Sequence, residues 1–495
     1  MPAMARVPPF AAALLLLVSA SAPAPAGARD GRWAQFRGPN GSGVCDECRP
    51  PVTFGPGRRQ LWKVAVPPGH SSPVLWDDHL FLTAVEGGRL WTIALRARDG
   101  RERWRRAAPV DVIEKVHAFS SPAAPTPATD GKRVYVYFGS FGLLAYDFAG
   151  REAWRHPLPT PPTKYGTASS PIVHGEHVIV QRDGNSTASE LRAVDRRTGR
   201  TAWTAPRPTL AESYSTPMLW SHPGGEELIA IGNGRVTAYD PRDGRERWYA
   251  RGVTHQPAAV AAAGNGLLFA SSPGGGGGEV EVPAWSELVR DYDANADGAL
   301  AFAEVPEAVG IHLRKEVPRD VPGNFLSIRF VLGRADQDKD GMATQAEWDA
   351  LGAMRAANQS NVLALRPGGD GDATETHLAW KGLRGISEMP SPIVYRDRLW
   401  FVRDGGMVTS YEPATGRLVL ENRRLGVGGQ YAASLIGAAG RIYAASVEGT
   451  ILVIEARDTV EVLARNELGE RILATPALVK DTLYVRTERH AWAFR

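Results

Sequence analysis

Ala193-Val-Asp195-Arg-Arg-Thr-Gly199-Arg-Thr-Ala-Trp203 reads as a strand, a tight turn and a second strand that carries a tryptophan. The same signal recurs as Asp99-Gly100 with Trp104, Ala145-Tyr-Asp147 with Gly150 and Trp154, and Ala238-Tyr-Asp240 with Gly244 and Trp248. In each, the tryptophan stands four residues after the glycine. Glycine suits the positive-φ position of a short hairpin, and Asp or Thr beside it can bond the local backbone. A repeated strand, turn and aromatic implies stacked sheets.

A second landmark, Ser-Pro or Thr-Pro at the start of each innermost strand, falls at Pro73, Pro122, Pro171, Pro217, Pro257, Pro392 and Pro476, with Ser434 in the equivalent place. The period is roughly 40 to 50 residues, the spacing of a four-stranded propeller blade. Only the gap between Pro257 and Pro392 breaks it, so an insertion is expected there. The last unit ends at its third strand, Ala491-Trp-Ala-Phe494, and Leu61-Trp62-Lys63-Val64 matches the missing outer strand. Closing a ring with both chain ends removes the free sheet edge. The expected fold is therefore all-β, an eight-bladed β-propeller closed by its N- and C-terminal strands. Trp62, Trp104, Trp154, Trp203, Trp248 and Trp380 are expected between adjacent blades, with Leu420 and Leu463 in that place in two blades.

The Ala-x-Asp-x-x-Thr-Gly-x-x-x-Trp repeats resemble the pyrroloquinoline quinone (PQQ) type of propeller repeat, shared by quinoprotein dehydrogenases and by the outer-membrane assembly lipoprotein of the BamB kind. Trp33 to Val44 and Ser120 to Trp154 are more similar to secreted PQQ-like propeller proteins. The resemblance spans residues 33–273 and 361–495. It implies the fold strongly and an activity weakly. It also implies what an enzyme of this kind would carry: adjacent cysteines in a strained disulfide over the cofactor, and carboxylate and amide ligands for a cofactor calcium. The only cysteines are Cys45 and Cys48, outside that region and not adjacent, and no calcium ligands can be assigned at the channel. PQQ is possible but has no site residues to support it.

Within the gap, Gly274 to Gly278 is a flexible run and helical patterning follows until Asn361-Val-Leu-Ala-Leu365. The insert is expected between the second and third strands of blade five. It holds Asp293-Ala-Asn295-Ala-Asp297-Gly298-Ala299-Leu-Ala301-Phe-Ala-Glu304 and Asp336-Gln-Asp338-Lys-Asp340-Gly341-Met342-Ala-Thr344-Gln-Ala-Glu347. Both match the EF-hand calcium loop. Side-chain oxygens at positions 1, 3 and 5, a carbonyl at 7 (Ala299, Met342) and a bidentate Glu at 12 suit a hard cation, and Gly at 6 permits the sharp turn. Two Ca2+ sites are expected, flanked by helices. Trp285, Leu288, Val289 and Tyr292 precede one loop at helical spacing, and Phe325, Ile328, Val331 and Leu332 the other. Loop two has four carboxylates against three and is expected to bind more tightly.

The resulting organisation is a signal peptide (1–28), an N-terminal arm (29–60), propeller (61–273), EF-hand pair (274–360) and propeller again (361–495). Arg6, the apolar run Phe10 to Val18 and small residues to Ala28 have the pattern of a cleaved secretory leader, so the protein is expected in the periplasm or secreted. No other apolar run reaches membrane length. In an exported chain a Cys45–Cys48 disulfide is favoured over a metal or redox role.

With 43% hydrophobic and 22% charged residues and a net charge of +3, nothing points to nucleic acid. Residues 279–360 are distinctive, with 15 acidic and 8 basic side chains, an acidic module on a basic ring. The loops that lead into the inner strands share a face with the insert. They carry His70, His117 with Phe119, Lys164 with Tyr165, Glu212 with Tyr214, His255, Glu388, Gln430 with Tyr431, and Glu470 with Arg471. Polar and aromatic groups around a channel mouth form a ligand-site hypothesis. No phosphate loop, nucleophile elbow or zinc motif stands in the sequence. The expected function is a monomeric calcium-binding propeller that binds or scaffolds a protein, peptide or glycan partner, leaning against an enzyme; the alternative is a PQQ-dependent oxidoreductase of alcohols or sugars.

Overall fold

The computed structural model describes residues 32–185, 189–207, 210, 212–254, 256–274, 282–312, 325–357 and 359–495, with backbone alone at 354–357. The expected leader and His255 lie outside the described residues, as does most of the Gly274 to Gly278 run.

Eight antiparallel blades of four strands follow one another in chain order, two of them extended by a fifth strand, Arg32–Trp33 in blade 1 and, in parallel, Gly371–Asp372 in blade 4. Blade 3 is typical: Ile172–His174 innermost, then His177–Arg182, Glu190–Asp195 and, outermost, Thr201–Pro206. Blade 8 combines Ala477–Val479, Thr482–Arg486 and His490–Phe494 with Gln60–Ala65, paired Trp62 to Ala493 and Lys63 to Trp492. The chain ends thus close the ring as the sequence predicts. In blade 5, Leu267–Ser272 pairs directly with Asn361–Leu365, although 88 residues separate them, so the insert leaves between the second and third strands.

The repeated turn has two physical jobs. In the turn itself Asp195 Oδ1 accepts the N–H groups of Arg197 (3.1 Å) and Thr198 (2.7 Å) and the Thr198 hydroxyl (2.7 Å). Gly199 there has φ +72°. Between blades, each turn glycine lies against the tryptophan of the preceding blade. A Cβ on Gly100, Gly150, Gly199, Gly244 or Gly416 would fall 2.4–2.8 Å from Trp62, Trp104, Trp154, Trp203 or Trp380 respectively. Glycine is required twice over, for conformation and for the indole's approach. Four of these indoles also donate to a carbonyl of the next blade's turn, as Trp104 does to Phe148 at 2.9 Å. Within each sheet the tryptophan faces the motif alanine, Ala94 opposite Trp104 and Ala193 opposite Trp203. The small partner leaves room for the large one.

Blade 6 keeps the pattern with Leu420 opposite Ser410. Blade 7 corrects the assignment of Leu463: Ala464 occupies the tryptophan position and faces Val453, so the large and small members are exchanged. Two other landmarks shift. The innermost strands of blades 2 and 5 begin at Ala128 and Ala262, directly after Thr126-Pro127 and Val260-Ala261 and a few residues beyond Pro122 and Pro257. The reason is a ring of hydroxyl contacts: the N–H groups of Ser72, Thr126 and Ser170 donate to the hydroxyls of Thr126, Ser170 and Thr216, one blade on, each at 2.9 Å. Val260, Ser391 and Ser434 continue the series onto Ser391, Ser434 and Thr475. Hydroxyl position, rather than proline, sets the strand start.

The arm does more than coat the ring. Arg32–Trp33 adds to the innermost strand of blade 1, and Ala34 accepts the N–H of Thr129 in blade 2. Asn40 bonds both backbone groups of Leu219 in blade 4, and Arg37 donates to Pro392 before blade 6. Cys45 N–H donates to Gly437 in blade 7 at 2.9 Å. Touching blades 1, 2, 4, 6 and 7, the arm crosses the axis, with Trp33 and Arg37 fully buried. Cys45 and Cys48 are joined by a disulfide.

In the insert, α1 (Trp285–Tyr292), α2 (Ile328–Ala335) and α3 (Gln345–Ala357) enclose their own core of Trp285, Leu288, Val331, Leu332, Trp348 and Leu351. Two expectations fail here. Phe325 lies in a short strand and is 41% exposed rather than core. The segment after residue 301 forms only a 3-10 turn, Phe302–Glu304, because Pro306 lacks the N–H a longer helix would use.

Candidate functional site

Two places gather chemistry: the loop pair of the insert and the mouth of the ring.

In the insert, Leu300–Ala301 and Met342–Ala343 pair as antiparallel strands, so the two loops lie back to back. Loop one turns on Gly298 (φ +84°) and loop two on Gly341 (φ +87°). Asp293 Oδ2 accepts Gly298 N–H at 2.9 Å, and Asp336 Oδ2 accepts Gly341 N–H at 3.1 Å. Asp297 and Asp340 cap Ala299 and Met342 N–H, both at 2.8 Å. Asn295 Nδ2 bonds Asp297 at 2.8 Å. Glu304 folds back onto Ala294 and Ala301, as Glu347 does onto Gln337 and Thr344. The backbone N–H groups of Gln337 and Thr344, with the Thr344 hydroxyl, hold the Glu347 carboxyl below its usual range. Carboxylate oxygens of Asp336, Asp338 and Asp340 lie within 4.8 Å of one another. Three carboxylates so close repel unless a cation or protons intervene. Asp293 Oδ1 is buried with no hydrogen-bond partner, an acceptor without a donor. The all-oxygen donor set and that orphaned oxygen fit a hard divalent cation.

The mouth is a funnel of about 530 Å³. One wall is aromatic: His117 lies 6.4 Å from Phe119 and edge-on to Tyr165 at 5.2 Å, and Tyr165 is edge-on to Tyr214 at 5.6 Å. Lys164 sits over Tyr165 (5.2 Å) and Arg471 over Phe119 (6.0 Å). Glu212 organises this wall, accepting Lys164 N–H, the Tyr214 hydroxyl and Gln256 Nε2 (2.8 Å). Burial, then Glu212, pushes the Tyr214 phenol upward, so it stays a donor. His70, Glu388 and Gln430 line the rest. Burial, with Arg486 and Arg471 nearby, lowers His70 to about 4, which keeps it neutral.

Five of the described sequence candidates do not line the funnel: Lys164, Glu212 and Arg471, which contact its aromatic wall, and Tyr431 and Glu470. Tyr431 is fully buried, its N–H on Asp404 and its hydroxyl on Val427, because its side chain alternates inward from Gln430. Glu470 turns to the side, against His490 (2.6 Å), Thr487 and Lys63. Gln256, Met389 and Asp404 line the funnel without having been picked out from the sequence. Gln256 carries a readable signal, its place one residue beyond His255, and so does Asp404, in the turn between the second and third strands of blade 6, the place that the insert occupies in blade 5. Pro273 and Gly274, the root of the insert, stand on the same rim, and Gly274 N–H bonds Ser360 at 2.8 Å.

Among the described residues no helix is long and apolar enough to cross a membrane. The family profile described as outer membrane protein assembly factor BamB matches residues 54–188 and 121–271. No curated protein matches the chain. Among solved structures, BamB from Moraxella catarrhalis is 11% identical, with a TM-score of 0.51 over 88% of this chain and 97% of that one. Quinohemoprotein alcohol dehydrogenase from Comamonas testosteroni is also 11% identical, with a TM-score of 0.56 over 94% of this chain and 81% of the enzyme. The computationally designed Ika8 protein is 9% identical, with a TM-score of 0.53 over 88% of this chain and 99% of that one. At such identities the likeness speaks for the fold alone, and it agrees with the repeats and the closed eight-bladed ring: the chain is a PQQ-like β-propeller repeat protein.

Proposed function

We propose that this is an exported, calcium-binding propeller that holds a protein, peptide or glycan partner at its mouth and does no redox chemistry. The observation that carries this reading is the funnel itself. It offers an aromatic wall, hydrogen-bonding groups that include the carboxylates Glu388 and Asp404, and flanking cations, the lining of a recognition site. The leader-like first 28 residues and the disulfide support export, to the periplasm or beyond. The protein acts as a monomer.

Calcium belongs to the insert in this reading. Asp293, Asn295, Asp297, the Ala299 carbonyl and Glu304 would hold one ion, and Asp336, Asp338, Asp340, the Met342 carbonyl and Glu347 the other. The ion supplies positive charge that relieves carboxylate repulsion. The residues do the rest: glycines 298 and 341 admit the turn, and the paired strands keep both loops in one orientation. Rooted on the funnel rim, a rigid insert shapes one side of the entrance.

The quinoprotein alternative is tested directly. Purified protein is mixed with PQQ and calcium, the cofactor absorbance is followed, and dye reduction is assayed with alcohols and aldoses. The expected result is no turnover; reconstituted dye reduction would overturn the proposal. A pull-down from a periplasmic fraction, with calcium and with chelator, identifies the partner, and Phe119→Ser is expected to abolish capture.

A further inference from the structure

Beside the funnel, between blades 8, 1 and 2, lies a second cavity of about 240 Å³ that shares His70, Ser120 and Leu473 with it. Its lining includes two arginines, Arg471 and Arg486. Arg486 is 1% exposed. Its Nη1 donates to Ser71 and to the Thr83 carbonyl (2.7 Å), and Nη2 to the Pro67 carbonyl (3.0 Å). All these acceptors are neutral, and Nε has no partner. Among the described residues no carboxylate pairs with Arg486 or Arg471. The one carboxylate on the cavity wall, Glu488, is exposed.

A buried cation without a counter-charge is costly; Arg37 shares that state, donating only to the Ser42 and Pro392 carbonyls, whereas two other buried arginines are paired. Arg207, equally buried, is paired with Asp183 at 2.9 Å, and Arg182 with Glu190. Arg486 stands out because it lines a cavity open to the mouth. Its neighbours complete a receptor for a negative group: the Arg471 guanidinium at the surface, the Ser120 hydroxyl, and a His70 ring that has one N–H to donate while neutral. A guanidinium matches a carboxylate in shape and donor spacing. The adjoining funnel wall is apolar, with Phe119, Met389 and Leu473.

We infer that this niche binds a carboxylate whose apolar body lies in the funnel, the anion supplying the counter-charge that Arg486 and Arg471 lack. The inference rests on the mouth being the binding face. Two sources share this chemistry, a free small acid and the C-terminal carboxylate of a peptide ending in an apolar residue.

Full-length protein is titrated calorimetrically with 3-phenylpropanoate and with its uncharged amide. A peptide ending in Phe is titrated with a free and with an amidated C-terminus. The acid is expected to bind about tenfold or more tightly than the amide, the difference a charged hydrogen bond makes. Tighter binding of the free-ended peptide than of the small acid assigns the chain end as ligand; the reverse assigns the free acid. Arg471→Gln, at an exposed position, is expected to remove the preference for acid over amide without changing the melting temperature. Arg486→Met is expected to do the same, with circular dichroism to confirm folding. Equal binding of acid and amide, or an unchanged preference in Arg471→Gln, would overturn the niche. If both probes then lose binding in Phe119→Ser, the mouth still stands as a recognition face. If neither probe binds at millimolar concentration the niche falls, and the pull-down alone judges the mouth.

Discussion

The ring and the insert are stabilised by opposite means. At five blade junctions an indole packs against a glycine turn, an apolar contact complete within the chain. The insert has an apolar core of its own, but its two loops are nets of carboxylates bonding local N–H groups on an exposed surface. A contact complete within the chain answers to packing and pH. A set of unneutralised carboxylates answers to cations.

Four measurements press on that difference. The largest effect is expected from Trp104→Ala. Its indole is nine-tenths buried and fills the space beside Gly150, so truncation should lower the unfolding free energy by about 3–5 kcal/mol in denaturant titration. A loss below about 1 kcal/mol would mean that the junctions are not what holds the ring.

Next comes pH. His70 is lowered from 6.5 to about 4, so between those values the unfolded chain binds a proton that the folded chain refuses. Stability is then lost as pH falls through that window, by up to about 3 kcal/mol near pH 4. His70→Gln should flatten this part of the pH profile, and an unchanged slope would remove His70 as its cause.

Gly150→Ala should cost roughly 1–3 kcal/mol, since φ is +81° and the new methyl meets the Trp104 ring. Gly341→Ala, at a similar φ but with no atom within 4 Å of the added carbon, isolates the conformational part. Equal costs at the two positions would show that the indole's approach adds nothing.

The smallest effect on the ring should come from chelation. Removing calcium is expected to lower the transition of the insert while moving that of the ring by less than about 0.5 kcal/mol. Glu347→Gln should weaken binding at loop two roughly tenfold or more, because it removes one of the ligand charges that set the affinity. If chelator destabilised the ring as much as Trp104→Ala does, the two regions would not be independent.

What could be read in the chain alone follows from how local each interaction is. The turn at Asp195 to Trp203 is built from residues within a few positions of each other, so its repetition gave the number of blades, the closure of the ring and the gap that holds residues 274–360. The same locality made the mouth partly legible. His117, Phe119, Tyr165 and Tyr214 stand at one point of the repeat, and the ring brings them side by side.

Tertiary structure decided the remainder, where partners come from distant blades. Proline misplaced two strand starts because the controlling contact is a hydroxyl one blade away. Blade 7 exchanged a large and a small residue, Val453 for alanine and Ala464 for tryptophan, a trade visible only when both strands are paired. The arm's path across the axis depends on Asn40 meeting Leu219 and Arg37 meeting Pro392. Arg486 ends a strand and is buried by the fold among neutral acceptors: a sequence states that a charge exists, and only packing determines whether anything answers it.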